Sequence, residues 1–266
     1  MKRRELKGAV VVVTGASSGI GADLARELAR DGHDLVLTAR NVAPMEKLAA
    51  ELEAHGAAGV VIAADLSKPG AAEALAGAIE SRGLTVDVLV NNAGIGAVGR
   101  FDQTDQVRIG EMLKVNIVAL TELTRLILPG MVARGRGRVM LVASTAGFQP
   151  GPGMAVYFAT KAYVLSLGEA IAEEVRGTGV TVTTLCPGPT ATNFAKIAGT
   201  SDLAFFNSAA RQVMSAAAVA RLGYRGLKAG DRVVITGLLN RIVALGGRFA
   251  PHPISLKVTK LLTSRR

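Results

Sequence analysis

Short apolar runs that alternate with helix-patterned stretches limit this chain to few architectures. Residues 9–13, Ala-Val-Val-Val-Val, form a β-branched run bounded by glycines, and a helical pattern follows and stops at Gly32. Glycine there suits the left-handed position that closes a helix. Residues 34–39, 59–64 and 86–90 read as further strands, with helices over 45–54 and 71–81 between them. The rhythm continues with a helical region over about 106–133, a strand over 138–143, a helix over 155–175, and strands over 180–185 and 232–235. These strands are apolar on both faces rather than alternating. That pattern belongs to parallel sheets covered by helices on both sides. Strand–helix alternation therefore predicts an α/β, doubly wound fold.

With 266 residues, 49% hydrophobic and 20% charged, the chain is no disordered polymer. No linker, repeat or low-complexity tract divides it, so one domain over 1–266 is expected. Within it, the irregular stretch 187–208 reads as a substrate loop and 238–266 as a basic, apolar tail. Cys186 is the single cysteine, which excludes an internal disulfide and favours a reducing compartment. His33, His55 and His252 are scattered and form no ligand cluster with Cys186, so no metal is expected. Aromatics make up 4% with no Trp, against stacking on bases or sugars.

The formal charge is +10, but much of the excess lies at the ends, in Lys2, Arg3, Arg4 and Lys7 and in Arg248, Lys257, Lys260, Arg265 and Arg266. Basic ends without interleaved aromatics read as solvated tails, so no nucleic-acid partner is expected. No uninterrupted apolar run reaches the ~18 residues of a membrane span, so no transmembrane segment is expected. The first residues lack a signal-peptide cleavage site. A cytoplasmic protein is the expectation.

The first strand runs into Thr14-Gly15-Ala16-Ser17-Ser18-Gly19-Ile20-Gly21 and then a helix. Gly15 permits a tight turn, Gly19 lets backbone approach a pyrophosphate, and Gly21 lets helix and strand pack closely. The helix N-terminus offers free N–H groups to an anion. The spacing is G-x-x-x-G-x-G, so position between strand and helix carries the assignment. The second strand ends Ala39-Arg40 rather than in an acid. Arg40 suits a 2′-phosphate, with Ser17 or Ser18 as further donors, so NADP(H) is expected over NAD(H). Asp65-Leu66 and Asn91-Asn92-Ala93-Gly94 end the third and fourth strands, at the crevice where such folds bind ligands.

Tyr157 and Lys161 stand four apart on a predicted helix, which places both on one face. An ammonium beside a phenol favours the phenolate. Ser144, at a strand end, offers a hydroxyl that polarises a carbonyl. Together, Thr14–Gly21, Asn91–Gly94, Asn116, Ser144 and Tyr157-x-x-x-Lys161, in this order and spacing, resemble the short-chain dehydrogenase/reductase family. The resemblance covers nearly everything from Gly8 to about Thr192. It implies a Rossmann-type, mostly parallel sheet of about seven strands with helices on both faces.

The resemblance further implies that Tyr157 is the general acid when a carbonyl is reduced and the base when a secondary alcohol is oxidised. Lys161 then lowers the Tyr157 pKa and binds the nicotinamide ribose. Ser144 bonds the substrate oxygen, and Asn116 holds a water that relays protons to Lys161. The segment Cys186-Pro187-Gly188-Pro189-Thr190-Ala191-Thr192 matches the family's nicotinamide-contacting stretch, through Pro187, Gly188, Thr190 and Thr192. Implied cofactor contacts are Gly15, Ser17, Ser18, Gly19, Ile20, Gly21, Arg40, Asp65, Leu66, Asn92, Ala93 and Gly94, together with Tyr157 and Lys161. Cys186 reads as a small buried hydrophobe.

Phe194, Leu203, Phe205 and Phe206 make the 187–208 loop apolar, which points to a small apolar carbonyl or alcohol substrate. Surplus apolar residues over 106–133, Leu113, Val115, Ile117, Leu120 and Leu123, predict a homodimer or homotetramer. The alternative function is a regulatory protein that binds NADP without turnover.

Overall fold

In chain order the elements are β1 (Ala9–Thr14), α1 (Gly19–Arg30), β2 (Leu35–Thr38), α2 (Val42–Ala54), β3 (Gly59–Val61), α3 (Ala71–Glu80), β4 (Thr85–Asn91), α4 (Gln106–Leu113), a π-helical stretch (Lys114–Ala119), α5 (Leu120–Ala133), β5 (Gly137–Val142), α6 (Ala155–Glu174), β6 (Val180–Cys186), β7 (Thr190–Ala191), α7 (Asn193–Ala198), β8 (Met214–Ser215), α8 (Ala216–Ala229), β9 (Val233–Ile235), α9 (Leu238–Phe249) and α10 (His252–Thr263). They come from a computed structural model that describes residues 9–199, 213–249 and 252–263. Leu203, Phe205 and Phe206, and Lys2, Arg3, Arg4, Lys7, Arg265 and Arg266 of the basic ends, lie outside the described residues.

Seven strands form one sheet in the order β3-β2-β1-β4-β5-β6-β9, and every pairing is parallel. Successive side chains of a strand point to opposite faces, and here both faces are buried. Val10 and Val12 of β1 join Leu89 of β4 and Leu141 of β5 in one layer, packed by Leu75 of α3, Leu123 of α5 and Val164 of α6. Val11 and Val13 join Val88, Val90 and Met140 in the other, packed by Leu24 and Leu28 of α1, Leu48 of α2 and Val219 of α8. The run of valines is thus what a two-sided sheet requires.

Four local readings change. The strand predicted over 59–64 ends at Val61, although Ile62 and Ala64 still donate to the Leu37 and Ala39 carbonyls. The sequence reading has no helix over α8, yet Ser215 caps its start by accepting from Ala218 N at 3.2 Å and Gly230 ends it at φ +73. Serine at the start and glycine past the end are the ordinary stop signals of a helix. The 187–208 stretch, expected without a strand, contains β7, which pairs with β8 just before α8, and then α7. Finally, Gln106–Ala133 is continuous helix of 28 residues that includes an 18-residue stretch of mean hydropathy 1.4, long and apolar enough to cross a membrane by those measures. The expectation of no such segment rested on uninterrupted runs, whereas polar residues are spaced through this helix. Packing takes up part of its apolar content: Leu120, Leu123 and Met131 are buried against the sheet and its covering helices, while Leu113, Val118 and Leu126 stay exposed.

Candidate active site

The strand order reverses between β1 and β4, and the chain leaves these two strands in opposite directions across the sheet. Ligands of open α/β sheets bind in the crevice that opens there. Thr14 and Asn92 tie the two strand ends together. The Thr14 hydroxyl accepts from the backbone N–H of Asn92 and of Ala93, each at 2.9 Å, and donates to Val90 O at 3.3 Å. The Asn92 amide donates back to Thr14 O at 2.9 Å and Gly15 O at 3.3 Å. Asn92 therefore positions the turn with its side chain, a role the sequence did not distinguish from ligand contact. Thr14, which opens the glycine motif but takes no role from its spacing, is the other half of that clamp.

The turn that follows is shaped by glycine. Gly15 has φ +67, and a Cβ on it would stand 2.7 Å from the Asn92 amide nitrogen. A Cβ on Gly21 would stand 2.5 Å from Gly15 O, so Gly21 serves the packing of α1 on the turn and does not line the crevice. Gly15, Ser17, Ser18, Gly19 and Ile20 line a cavity of about 540 Å³. Ser18 occupies the N-cap of α1 but makes no side-chain capping bond. The first N–H groups of α1 are thus left for an anion at the cavity wall. This turn fits the pyrophosphate of a nicotinamide dinucleotide.

At one end of the cavity stand Arg40, exposed just after β2, and Asp65 and Leu66 after β3. The Ser67 hydroxyl donates to Asp65 Oδ1 at 2.8 Å and the Ser67 N–H at 3.1 Å. The Ser67 hydroxyl, then its N–H and the nearby Arg40 charge, hold the Asp65 carboxyl below its usual range against the opposing effect of burial. Asp65 is an acceptor at neutral pH and caps its own turn rather than α3, whose N-cap is Gly70.

At the other end, Ser144, Tyr157 and Lys161 come together. Ser144 follows β5 and caps a 3-10 turn, accepting from Ala146 N at 3.1 Å while donating to Pro187 O at 3.3 Å. Tyr157 and Lys161 project from the first two turns of α6 into the cavity. Burial pushes the Tyr157 phenol up to about 12, opposed by a hydrogen bond with Ser144. The expected downward pull of Lys161 on Tyr157 is not what prevails: Lys161 Nζ lies 5.8 Å from the ring centroid and donates to Val142 O at 2.8 Å. Lys161 is itself buried, which pushes its ammonium down to about 8. Tyr157 is therefore protonated at neutral pH, and Lys161 titrates close to it.

Asn116 sits in the π-helical stretch, 1% exposed. Its Oδ1 accepts from Ile95 N at 2.9 Å, and its Nδ2 donates to Ile95 O at 2.9 Å and Thr160 Oγ1 at 3.0 Å. A Cβ on Gly94 would stand 3.4 Å from both Asn116 Oδ1 and Lys161 Nζ, which shows how closely these groups converge. The Asn116 side chain is occupied in fixing the 94–95 backbone beside Lys161.

Ala93, Gly94, Pro187, Gly188, Thr190 and Thr192 also line the cavity. The substrate side is built by Met154, Phe158 and Phe194, whose ring lies 5.5 Å from that of Tyr157, and by Asn240, Val243 and Thr259 from α9 and α10. The tail residues could not have been picked out one by one, because only the packing of α9 and α10 brings them here. Cys186 is fully buried and burial pushes its thiol up to about 12, as expected of a packing residue rather than a nucleophile. Among the described residues, no cluster of His, Cys, Asp and Glu is arranged to hold a metal ion.

A sequence profile described as short chain dehydrogenase matches residues 9–202, from β1 through the segment after β6. The chain belongs to the short-chain dehydrogenase family. The family match, with relatives and solved structures named as ketoacyl reductases and dehydrogenases, supports nicotinamide-dependent oxidoreduction of carbonyl and alcohol groups. Among curated relatives, the ketoacyl reductase HetN of Nostoc sp. is 35% identical over 183 residues, 69% of this chain and 64% of that one, so the match spans just under two-thirds of HetN. Among solved structures, the short-chain dehydrogenase from Sphingobium yanoikuyae in complex with NADPH is 34% identical, with a TM-score of 0.79, over 91% of this chain and 93% of that one. The family member from Burkholderia phymatum in complex with NAD is 26% identical, with a TM-score of 0.79, over 99% of both chains. Both cofactors thus occur among structures similar to this short-chain dehydrogenase.

Proposed function

We propose that the protein is a single-domain reductase of apolar ketones, working reversibly on the matching secondary alcohols, with NADP(H) preferred over NAD(H). One observation carries the catalytic reading: a single cavity holds the glycine turn at one end and Ser144, Tyr157 and Lys161 at the other. When bound, the nicotinamide supplies the hydride in reduction and accepts it in oxidation. Tyr157, protonated at neutral pH, gives its proton to the carbonyl oxygen as the carbonyl carbon becomes a carbinol carbon. Ser144, beside Tyr157, turns its single hydroxyl proton from Pro187 O to the same oxygen and polarises the carbonyl. Lys161 holds the ribose and, with its ammonium near pH 8, returns a proton towards Tyr157. The Asn116 side chain is spent on Ile95 and Thr160, so we place the relay water on main-chain carbonyls of the π-helical stretch, where the wider register loosens the helical bonds.

The NADP preference rests on Arg40 at the cavity rim with Ser17 and Ser18 nearby. The apolar substrate rests on Met154, Phe158, Phe194 and Val243 around Tyr157. Of the apolar residues from which assembly is expected, Val115, Leu120 and Leu123 are buried in the core and Ile117 is half-buried, so they cover the sheet; assembly into a homodimer or homotetramer is supported instead by Leu113 with Val118 and Leu126, which stay exposed along the 106–133 helix beside Tyr163 of α6. A reducing, cytoplasmic setting is supported by the lone buried thiol. The test is NADPH consumption across a panel of ketones of increasing apolar bulk. Turnover on bulky ketones supports the reading, and tight NADPH binding with no turnover on any carbonyl supports a regulatory role instead.

A further inference from the structure

The last two helices present a surface that the oxidoreductase chemistry does not use. Helix α9 is amphipathic in an inverted sense. Asn240 and Val243 face the catalytic cavity, and Ala244 beside them is buried. On the opposite side Leu238, Ile242 and Leu245, spaced four and three apart, form one outward stripe that is 77%, 60% and 39% exposed. Leu239 flanks the stripe, and Leu256 of α10 is exposed as well. Large aliphatic side chains at this spacing, turned to solvent, call for an apolar cover.

The charge around the stripe identifies that cover. From Gly237 to the end the sequence has six Lys and Arg and no Asp or Glu. Arg241, Lys257 and Lys260 are exposed on the same two helices. A two-fold contact between copies would set this basic face against itself with no acid on it to answer. Nucleic acid would meet the basic groups but leave the leucines in water. Exposed aliphatic side chains and exposed cations on the same two helices match the boundary between acyl chains and anionic headgroups, where amphipathic helices lie in the plane of a bilayer. The apolar part of α9, Leu238–Gly247, is ten residues, too short to cross.

We propose that the α9–α10 face docks the enzyme on an anionic lipid bilayer. The outer side of α9 sinks among the acyl chains while its inner side walls the cavity, so apolar compounds dissolved in the membrane reach the site without crossing bulk water. Docking needs no covalent step and is independent of turnover.

The test is flotation of the full chain with phosphatidylcholine vesicles, with and without one-third phosphatidylserine, at low and high salt. Binding is expected only with phosphatidylserine, and weakened by salt. Lys257→Gln with Lys260→Gln should lower the partition coefficient about five-fold per charge. Leu238→Ser with Ile242→Ser should abolish flotation while leaving NADPH affinity unchanged, which shows that the fold persists. Equal flotation with both vesicle types overturns the proposal, as does flotation unaffected by the Leu238/Ile242 pair. A loss of oligomer mass in that pair, with flotation unchanged, assigns the face to a second copy instead and overturns it equally.

Discussion

Replacing Lys161 by Met should make the fold more stable and the enzyme inactive. The ammonium is buried at 5% exposure, and burial moves it from an ordinary 10.5 to about 8. At about 1.4 kcal/mol for each pH unit, carrying that charge in the folded state costs about 3 kcal/mol. Met is of similar length and takes up the same space without charge. It leaves Val142 O without its donor, which returns about 1 kcal/mol. The net expectation is a gain of about 2 kcal/mol for Lys161→Met near pH 7. A lysine pKa lowered by folding means that the unfolded chain binds the proton more tightly, so the parent's deficit is complete below pH 8 and shrinks as pH rises towards 10.5. Urea unfolding of parent and variant, without added nucleotide, at pH 7 and at about pH 10 measures both points. A variant less stable than the parent at pH 7, or a difference that does not move with pH, would refute the reasoning.

Arg40→Ala should weaken NADP binding roughly ten- to a hundred-fold while NAD binding stays within about two-fold, since one charge-assisted bond is worth about 1.5–3 kcal/mol; titration calorimetry with both nucleotides checks it. Gly15→Ala forces a Cβ to 2.7 Å from the Asn92 amide at φ +67, so it should destabilise the fold by about 1–3 kcal/mol and weaken both nucleotides together, read by thermal melts and the same titrations. Light scattering at micromolar concentration should give a multiple of the 27.4 kDa chain mass, and a monomer contradicts the assembly reading.

The sheet was legible because its strands are buried on both faces, which leaves an unbroken apolar run that few other structures require. The glycine turn was legible for a similar reason: at Gly15 and Gly21 a side chain has no room, so the residue type records the geometry. Helix α8 was not seen, although its Ser215 and Gly230 caps lie in the sequence, because its interior mixes glycine and arginine with alanine. The balance of charges at Tyr157 could not be read from the i,i+4 spacing. Proximity of Lys161 predicts a lowered phenol, but depth in the cavity and the Val142 carbonyl that engages the ammonium are set by the packing of α6 on β5. The division of labour between Thr14, Asn92 and Asn116, which clamp backbone, and the residues that face the ligand is likewise a property of tertiary contacts. The contribution of α9 and α10 to the cavity wall comes from residues outside the family-matched range 9–202.

The central claim is that Tyr157 donates the proton to the substrate oxygen. Phenylalanine keeps the ring, its contact with Phe194 at 5.5 Å and its place on α6, and removes the hydroxyl alone. The decisive measurement is single-turnover reduction of a ketone by Tyr157→Phe, with NADPH affinity measured on the same sample. The account predicts unchanged affinity and a rate lower by about 10²–10⁴-fold. A near-normal chemical rate with NADPH bound would show that the proton comes from another group and would contradict the account.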